Sequence, residues 1–348
     1  MNLPMLSFES PSQPCKTSHP ATISAMNDGH IVSRPRARRS REETMKLENL
    51  SQDRLSTTMM GVVKAVLDYY QLGASTAWAF GGSGHAFLIN IHEQICPSGP
   101  YCWKYDGFLR LLRNLGIAMA DLGFFHGKST PEERAGVEQK LKQSLDSGIA
   151  CSLCNMENQV IYGYDDKAFF TAQPWGDCCG GFPPATLTFG TWPEFKDETH
   201  VNFFTFRKLA PADDRTIVRD SLGYALDLFR HPEKHGFEHY GIGPNAYDNW
   251  VGAVGEHGSS HGNWWNGTVW SECRAMASGY FSEIGQKLAP VAVQARELSS
   301  AYHEIADLLS SAADKETESA AKAALITAAK EKEGQAIRQI ETLIASLN

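Results

Sequence analysis

The chain has 348 residues, of which 42% are hydrophobic and 21% charged, and its formal net charge is −8. This composition is typical of a folded protein with one large core or two domains, and the acidic balance argues against nucleic acid or an anionic membrane as a partner. The sequence has no run of about 18 apolar residues, so it predicts no transmembrane helix.

The first segment, residues 1–44, is rich in Ser, Pro and Arg and ends in a basic run. It shows no hydrophobic period, which predicts a disordered basic tail. The alternative is a mis-called start, because Met45 opens a stretch that would make a start of its own. The chain has eight cysteines and no secretion-signal pattern, which predicts reduced thiols and a cytoplasmic location.

Helices and strands then follow in a mixed order. A first helix is predicted from Ser56 or Thr57, because apolar residues recur at three-to-four spacing up to Tyr70. Residues 73–91 predict a turn, a short strand, a glycine loop and a second strand. Residues 105–116 predict a short helix with leucines on its inner side.

The clearest predicted helix begins at Pro131. Thr130 takes the N-cap position, Glu133 completes a capping box, and Gly148 marks the end of the helix. Strand-like runs follow at residues 149–154, 159–165, 168–173 and 201–207. A helix followed by antiparallel strands predicts the α+β class.

Beyond Pro211 the pattern becomes helical. We therefore predict an α+β domain over residues 45–210, a helical domain over 211–285 and a C-terminal helical hairpin over 286–348. Apolar residues repeat with a heptad-like period in both hairpin helices. We expect the hairpin to dock on the body of the protein; the alternative is a coiled-coil contact with a partner, such as a homodimer through the hairpin.

The order of motifs resembles a known family. A first helix, the loop "GGSGHAF", the segment "CPSGP", the capped helix and "NQVIYGYDDKAFFTAQPWG" resemble the N-terminal domain of butirosin biosynthesis protein H and its relatives, which is papain-like. The stretches "AYDNW" and "GNWWNGTVWSECRAMASGYFSEI" are similar to the helical domain that follows in that family. The resemblance covers about residues 50–285. It implies acyl transfer from a carrier-protein thioester to an amine.

The resemblance also implies a Cys-His-Asp triad: Cys at the start of the first helix, His at the start of the strand before "GYDD", and Asp before a proline on the next strand. This sequence has other residues at all three places: Ser56, Thr57 and Thr58 at the helix, Glu157 and Asn158 at the strand, and Gln173 before the proline. A hydroxyl has a pKa far above neutrality and needs a general base beside it. We therefore expect a degenerate triad and a cleft that binds a small amine, peptide or acyl ligand.

The alternative is an acyltransferase or amide hydrolase with relocated catalytic groups. His85 follows the glycine loop and is a candidate general base for Ser56, Thr57 or Cys102; otherwise it is a hydrogen-bonded residue that fixes the loop. The catalytic candidates are Ser56, Thr58, His85, Cys102 and Glu157. Candidates for lining the cleft are Trp103, Asn158, Gln173, Trp175, Tyr247 and Trp264.

A second alternative is a metal-dependent enzyme. The candidate ligands are His231, His235, His239, His257 and His261. Histidines four positions apart can share a metal on a helix, but the prolines and glycines among them favour a polar loop. The sequence predicts no cofactor, and zinc is the alternative that these residues would allow. The pair Cys151 and Cys154, with Cys178 and Cys179, is the weaker zinc candidate, because a strand would place Cys151 and Cys154 on opposite faces.

Overall fold

A computed structural model of the chain describes residues 44–347, without the side chains of Asp177 and Cys178. The predicted tail, apart from Thr44, lies outside the described residues. The strands are β1 (Met45–Lys46), β2 (Asn90–His92), β3 (Ile117–His126), β4 (Ala150–Asn155), β5 (Glu157–Tyr164), β6 (Ala168–Thr171), β7 (Thr186–Thr188), β8 (His200–Lys208) and β9 (Tyr240–Ile242). The α-helices are α1 (Thr58–Tyr69), α2 (Thr76–Gly82), α3 (Asp106–Asn114), α4 (Pro131–Asp146), α5 (Asp214–Arg230), α6 (Pro244–His257), α7 (His261–Lys287), α8 (Ala292–Ala313) and α9 (Ser319–Ser346).

The fold is mixed α+β, which confirms the predicted class. Seven strands form one antiparallel sheet in the order β3-β8-β4-β5-β6-β7, with β1 paired to β5, while β2 and β9 form a separate antiparallel pair. Helix α1 packs against β5, and α4 packs against β4, β5 and β8. The start of α1 therefore lies beside the sheet.

The predicted capping box of α4 is confirmed. The backbone N–H of Glu133 donates to the Thr130 hydroxyl over 3.2 Å, and the Glu133 carboxylate accepts from the Thr130 backbone N–H over 2.8 Å. These two bonds satisfy N–H groups that a helix start leaves without internal partners.

The segment over residues 73–91 differs from its prediction. It forms helix α2, a 3-10 turn over His85–Phe87 and the short strand β2, instead of two strands. Ser75 caps α2 by accepting from the Trp78 backbone N–H over 2.9 Å. A Cβ at Gly81 would lie 1.9 Å from Cγ of Tyr280, so glycine lets α2 approach α7 closely. This tertiary contact overrides the strand-like composition.

Helix α7 organises the helical half. Helix α8 packs along α7, and α9 packs against α8, α6 and α5. Arg274 of α7 pairs with Glu333 of α9 in the interior, where both side chains have no exposed surface, and also donates to the carbonyls of Ala86 and Leu88. The described residues belong to one compact unit. The proposed domain limits at residues 210 and 285 stay predictions.

None of the helices in the described range is both long and apolar enough to cross a lipid bilayer.

Candidate functional site

The start of α1 meets the start of β5, and three polar side chains converge there. The Thr58 hydroxyl donates to Oε2 of Glu157 over 2.7 Å, and the Tyr101 hydroxyl donates to Oε1 over 2.5 Å. The backbone N–H of Asn158 donates to the Thr58 oxygen over 3.1 Å. We call these four residues the Thr58–Glu157 site. It brings together Thr58, Glu157 and Asn158, three residues that occupy triad positions in the resemblance.

Two local features hold this site in place. Glu272 of α7 accepts from the backbone N–H groups of Ser56 and Thr57 over 2.9 and 2.7 Å, so α7 supplies the carboxylate that caps α1. Met156 joins β4 to β5 with a φ of 62°, a left-handed conformation that costs a non-glycine residue roughly 1–3 kcal/mol. The tight turn places Glu157 at the first position of β5.

Burial dominates the electrostatics of Glu157. Its side chain is 5% exposed, and this desolvation raises its pKa to about 8, although the hydrogen bonds from Tyr101 and Thr58 act in the opposite direction. At neutral pH the carboxyl group is therefore mostly protonated. A group with this pKa can give or take a proton near pH 7.

Asn158 leaves a buried acceptor in the site. Its side-chain amide donates to the Thr58 oxygen over 3.4 Å, and its Oδ1 is buried without a hydrogen-bond partner among the described residues. The Thr58 hydroxyl donates its proton to Glu157, so its oxygen can only accept from the Asn158 side chain. The NH2 group of Asn158 must therefore face Thr58, and Oδ1 faces away from it. An unpaired buried acceptor is unfavourable unless a ligand or water donates to it.

Tryptophans form one side of the site. Burial and the neighbouring Glu157 raise the pKa of the Tyr101 hydroxyl, and the Trp265 side chain acts in the opposite direction. The ring of Trp175 meets that of Trp265 edge-on at 5.7 Å, and the ring of Trp264 also lies 5.7 Å from that of Trp265. Trp175 and Trp264 are partly exposed. Through Trp265, the site is thus connected to partly exposed aromatic surface.

A thiol and an imidazole meet on the inner side of α1. Cys273 Sγ of α7 lies 3.6 Å from Nδ1 of His85 and 3.7 Å from the Thr57 hydroxyl. Both side chains are buried, and the rings of Trp103 and Phe108 lie 5.5 and 5.8 Å from His85. Desolvation lowers the pKa of His85 to about 3 and raises the pKa of Cys273 to about 12. The pair is therefore neutral at pH 7.

Sequence reasoning missed Tyr101, Glu272 and Cys273 as site residues. His85 and Cys273 are 188 positions apart, and no spacing pattern relates them. Tyr101 lies two positions before Trp103, which was predicted to line the cleft, in the aromatic stretch "YCWKYDG".

The other catalytic candidates lie elsewhere or act through the backbone. Ser56 contributes its backbone N–H to Glu272. Cys102 interacts with the Tyr240 side chain, and its carbonyl accepts from Asn90. The His85 imidazole contacts Cys273 Sγ, which lies 3.6 Å from Nδ1. The pairing of His85 with Ser56, Thr57 or Cys102 stays a prediction.

Three other candidates for lining the cleft make hydrogen bonds within the protein. Trp103 is buried and donates to the Pro100 carbonyl over 3.1 Å. Tyr247 is fully buried and hydrogen-bonds Glu333 in the helical core. Gln173 donates to the Pro183 carbonyl over 3.0 Å and so organises the loop after β6.

The five candidate metal-ligating histidines have separate neighbours. Their closest polar or aromatic neighbours are Glu233 for His231, Asp227 for His235, Glu93 for His239, Glu256 for His257 and Trp264 for His261. Within residues 44–347, no group of three or more His, Cys, Asp or Glu side chains is arranged to hold a metal ion.

The cysteine pair on β4 shows the predicted separation. Cys151 and Cys154 both lie on β4, three positions apart, where successive side chains alternate between faces. Burial raises the pKa of Cys154 to about 12, and the carboxylates of Glu157 and Asp121 act in the same direction. This thiol stays protonated at neutral pH.

No model of a known protein family matches the chain, and a search of curated proteins finds no match either. The resemblance to the butirosin protein H family thus stays an expectation.

Proposed function

We propose that the chain is a papain-like, butirosin-H-like protein with a degenerate triad, which binds an amine-bearing ligand at the Thr58–Glu157 site. One observation carries this proposal. The start of α1 and the start of β5, where the resemblance implies a thiol nucleophile and its base, meet through a hydroxyl and a carboxyl group. A ligand cleft would remain there without a cysteine at the helix start.

The chemistry of the site favours an amine among the expected ligands. Oδ1 of Asn158 is an acceptor, and Glu157 becomes an anionic acceptor when it releases its proton, so a complementary ligand must donate hydrogen bonds. Trp175 and Trp264 add partly exposed aromatic surface, which attracts cations through the negative faces of the rings. A primary ammonium group supplies three donors and a positive charge.

Calorimetry with matched probes tests this proposal. Benzylamine is titrated into the protein at pH 7 beside N-benzylacetamide, which has the same ring but no charge. We expect binding of benzylamine alone, weakened roughly tenfold or more by Glu157→Gln, because a charge-assisted hydrogen bond is lost. Glu304→Gln, at an exposed position on α8, is the control. Equal binding of both probes, or of neither, contradicts the proposal.

Protonation gives an independent signature. Glu157 is mostly protonated at pH 7, so an ammonium ligand must displace a proton. The measured heat should therefore vary with the ionisation enthalpy of the buffer in the wild-type protein and lose that dependence in Glu157→Gln.

The Cys273–His85 contact favours a second function, acyl transfer or amide hydrolysis. In such a step, Cys273 Sγ would bond to the carbonyl carbon of a thioester while His85 takes the thiol proton. The carbon–sulfur bond of the donor then breaks, and the proton passes to the departing thiolate. The burial and the neutral state of this pair make it the weaker candidate.

Intact-mass measurement after incubation with acetyl thioesters tests the second function. An acetyl adduct that disappears in Cys273→Ser and persists in Cys102→Ser would establish Cys273 as the nucleophile. An unmodified protein after long incubation would exclude this activity toward the thioesters used.

A further inference from the structure

Strand register places a row of four side chains on one face of the sheet. Asn158 of β5 pairs with Cys154 of β4, Cys154 pairs with Asn202 of β8, and Asn202 pairs with Phe124 of β3. Directly opposite residues on neighbouring strands point to the same face. We call these four residues the cross-strand row. It begins at the Thr58–Glu157 site and ends at the sheet edge.

The row opens to solvent as it leaves the site. Asn158 is 3% exposed, Cys154 and Asn202 are partly exposed, and Phe124 is 40% exposed. The Asp121 carboxylate lies along the same path. It accepts a hydrogen bond from the Asn202 amide over 3.2 Å, and its charge raises the pKa of the Cys154 thiol, after the larger effect of burial. Acidic groups thus stand at both ends of the polar part of the row.

Phe124 forms an aromatic platform at the outer end. Its ring is stacked on that of His200 at 6.2 Å with an interplanar angle of 16°, and it lies 6.1 Å from the ring of His126. All three side chains are exposed. The next residue, Phe125, points to the opposite face and packs on Trp192. The core on that face is therefore built without Phe124.

We infer that the cross-strand row is a second subsite, which binds an extended peptide whose amino-terminal ammonium lies at Glu157 and whose aromatic side chain stacks on Phe124. This inference rests on the proposed function, since Glu157 anchors the ligand. Three strand spacings of about 4.8 Å separate the ends of the row by roughly 14 Å. An extended chain rises about 3.4 Å per residue, so three steps bring the fourth residue roughly 10 Å along the row, and its aromatic side chain spans the remaining distance.

Charge complementarity favours this occupant. The Asp121 carboxylate attracts a positively charged terminus and peptide N–H groups, and Glu157 does the same once the ammonium displaces its proton. The Asn202 side chain can exchange hydrogen bonds with a peptide backbone. A small amine would occupy the inner end alone and leave the Phe124 platform without a contact.

The test compares two amidated peptides with free amino termini, Gly-Gly and Gly-Gly-Gly-Phe, by calorimetry. We expect the tetrapeptide to bind roughly three- to tenfold more tightly, the gain that aromatic stacking supports. Phe124→Ser should remove this gain and leave dipeptide binding unchanged. Val293→Ser, which replaces an exposed apolar residue of α8, is the matched control and should preserve the gain.

Glu157→Gln separates the failure of this inference from the failure of the proposed function. If it weakens the binding of both peptides but the peptides bind equally to the wild-type protein, the anchor stands and the second subsite is wrong. If Phe124→Ser leaves the preference for the tetrapeptide intact, the subsite is also wrong. If benzylamine binds but neither peptide binds the wild-type protein, the second subsite is wrong and the proposed function stands; if none of the three binds, both proposals fail.

Discussion

The hydroxyl of Thr58 and the carboxyl group of Glu157, 99 positions apart in the chain, are joined by a hydrogen bond of 2.7 Å. Both side chains are almost fully buried, and the carboxyl group accepts hydrogen bonds from the Thr58 and Tyr101 hydroxyls. Desolvation of a carboxylate costs stability unless its hydrogen bonds compensate. The pKa of Glu157 remains raised, so the hydrogen bonds from Tyr101 and Thr58 offset only part of the desolvation of the carboxylate.

The first prediction concerns stability and pH. The folded-state pKa of Glu157, about 8, lies above its ordinary value of 4.5, so the folded state binds the extra proton between these values. Stability should therefore fall as pH rises through this window, by at most about 1.4 kcal/mol per pH unit. Urea unfolding from pH 6.5 to 8 should show this fall, and Glu157→Gln should flatten it.

The titration of His85 affects stability mainly below this pH window. Burial lowers the pKa of His85 to about 3 from 6.5, so the unfolded state binds that proton and stability rises with pH between these values. Most of this contribution is gained below pH 6.5, and Glu157→Gln retains all of it, so the difference between the two proteins reports on Glu157. An unchanged slope in Glu157→Gln at higher pH would show that Glu157 titrates normally.

The second prediction removes the hydroxyl beside Glu157. Thr58→Val keeps the side-chain shape but leaves a buried carboxyl oxygen without its donor, and it should cost about 1–3 kcal/mol of unfolding free energy. Thr58→Ser keeps the donor and should cost less. Urea unfolding at pH 7 measures both, and equal losses would show that the hydroxyl contributes little.

The third prediction tests the close approach of α2 to α7. Gly81→Ala would place a methyl group against the ring of Tyr280 and should destabilise the protein by about 1–3 kcal/mol through overpacking. Gly252→Ala on α6 meets no atom within 4 Å and should stabilise it by roughly 0.5–1 kcal/mol. The opposite signs in thermal unfolding are the criterion. A stabilising Gly81→Ala would refute the contact.

The fourth prediction concerns the buried pair of Arg274 and Glu333. Glu333→Gln leaves a buried guanidinium without its carboxylate and should cost about 3–5 kcal/mol. Glu341→Gln, which breaks the exposed pair with Arg230, should change stability by at most about 1 kcal/mol. Limited proteolysis should then cut α9 faster in Glu333→Gln, and equal rates would show that other contacts hold the helix.

The sequence predicted elements whose signals are local. The capping box of α4 and the alternating strands of the sheet depend on neighbouring residues, and both are present. Helix α2 was predicted as a strand because its stability depends on packing against Tyr280, far along the chain.

The site follows the same rule. Thr58, Glu157 and Asn158 were selected by their positions in a resemblance, and the structure brings them together. Tyr101 and Cys273 reach their positions through tertiary packing alone, so no periodicity or spacing could reveal them.

Three successive residues of α7 attach to three different parts of the molecule. Glu272 holds the first turn of α1, Cys273 contacts His85, and Arg274 ties α7 to α9. A helix transmits a shift along its axis to all of these contacts at once. We therefore expect a ligand bound at the Thr58–Glu157 site to stabilise the C-terminal helices as well. Amide hydrogen exchange in α9 should then be slower with ligand than without it.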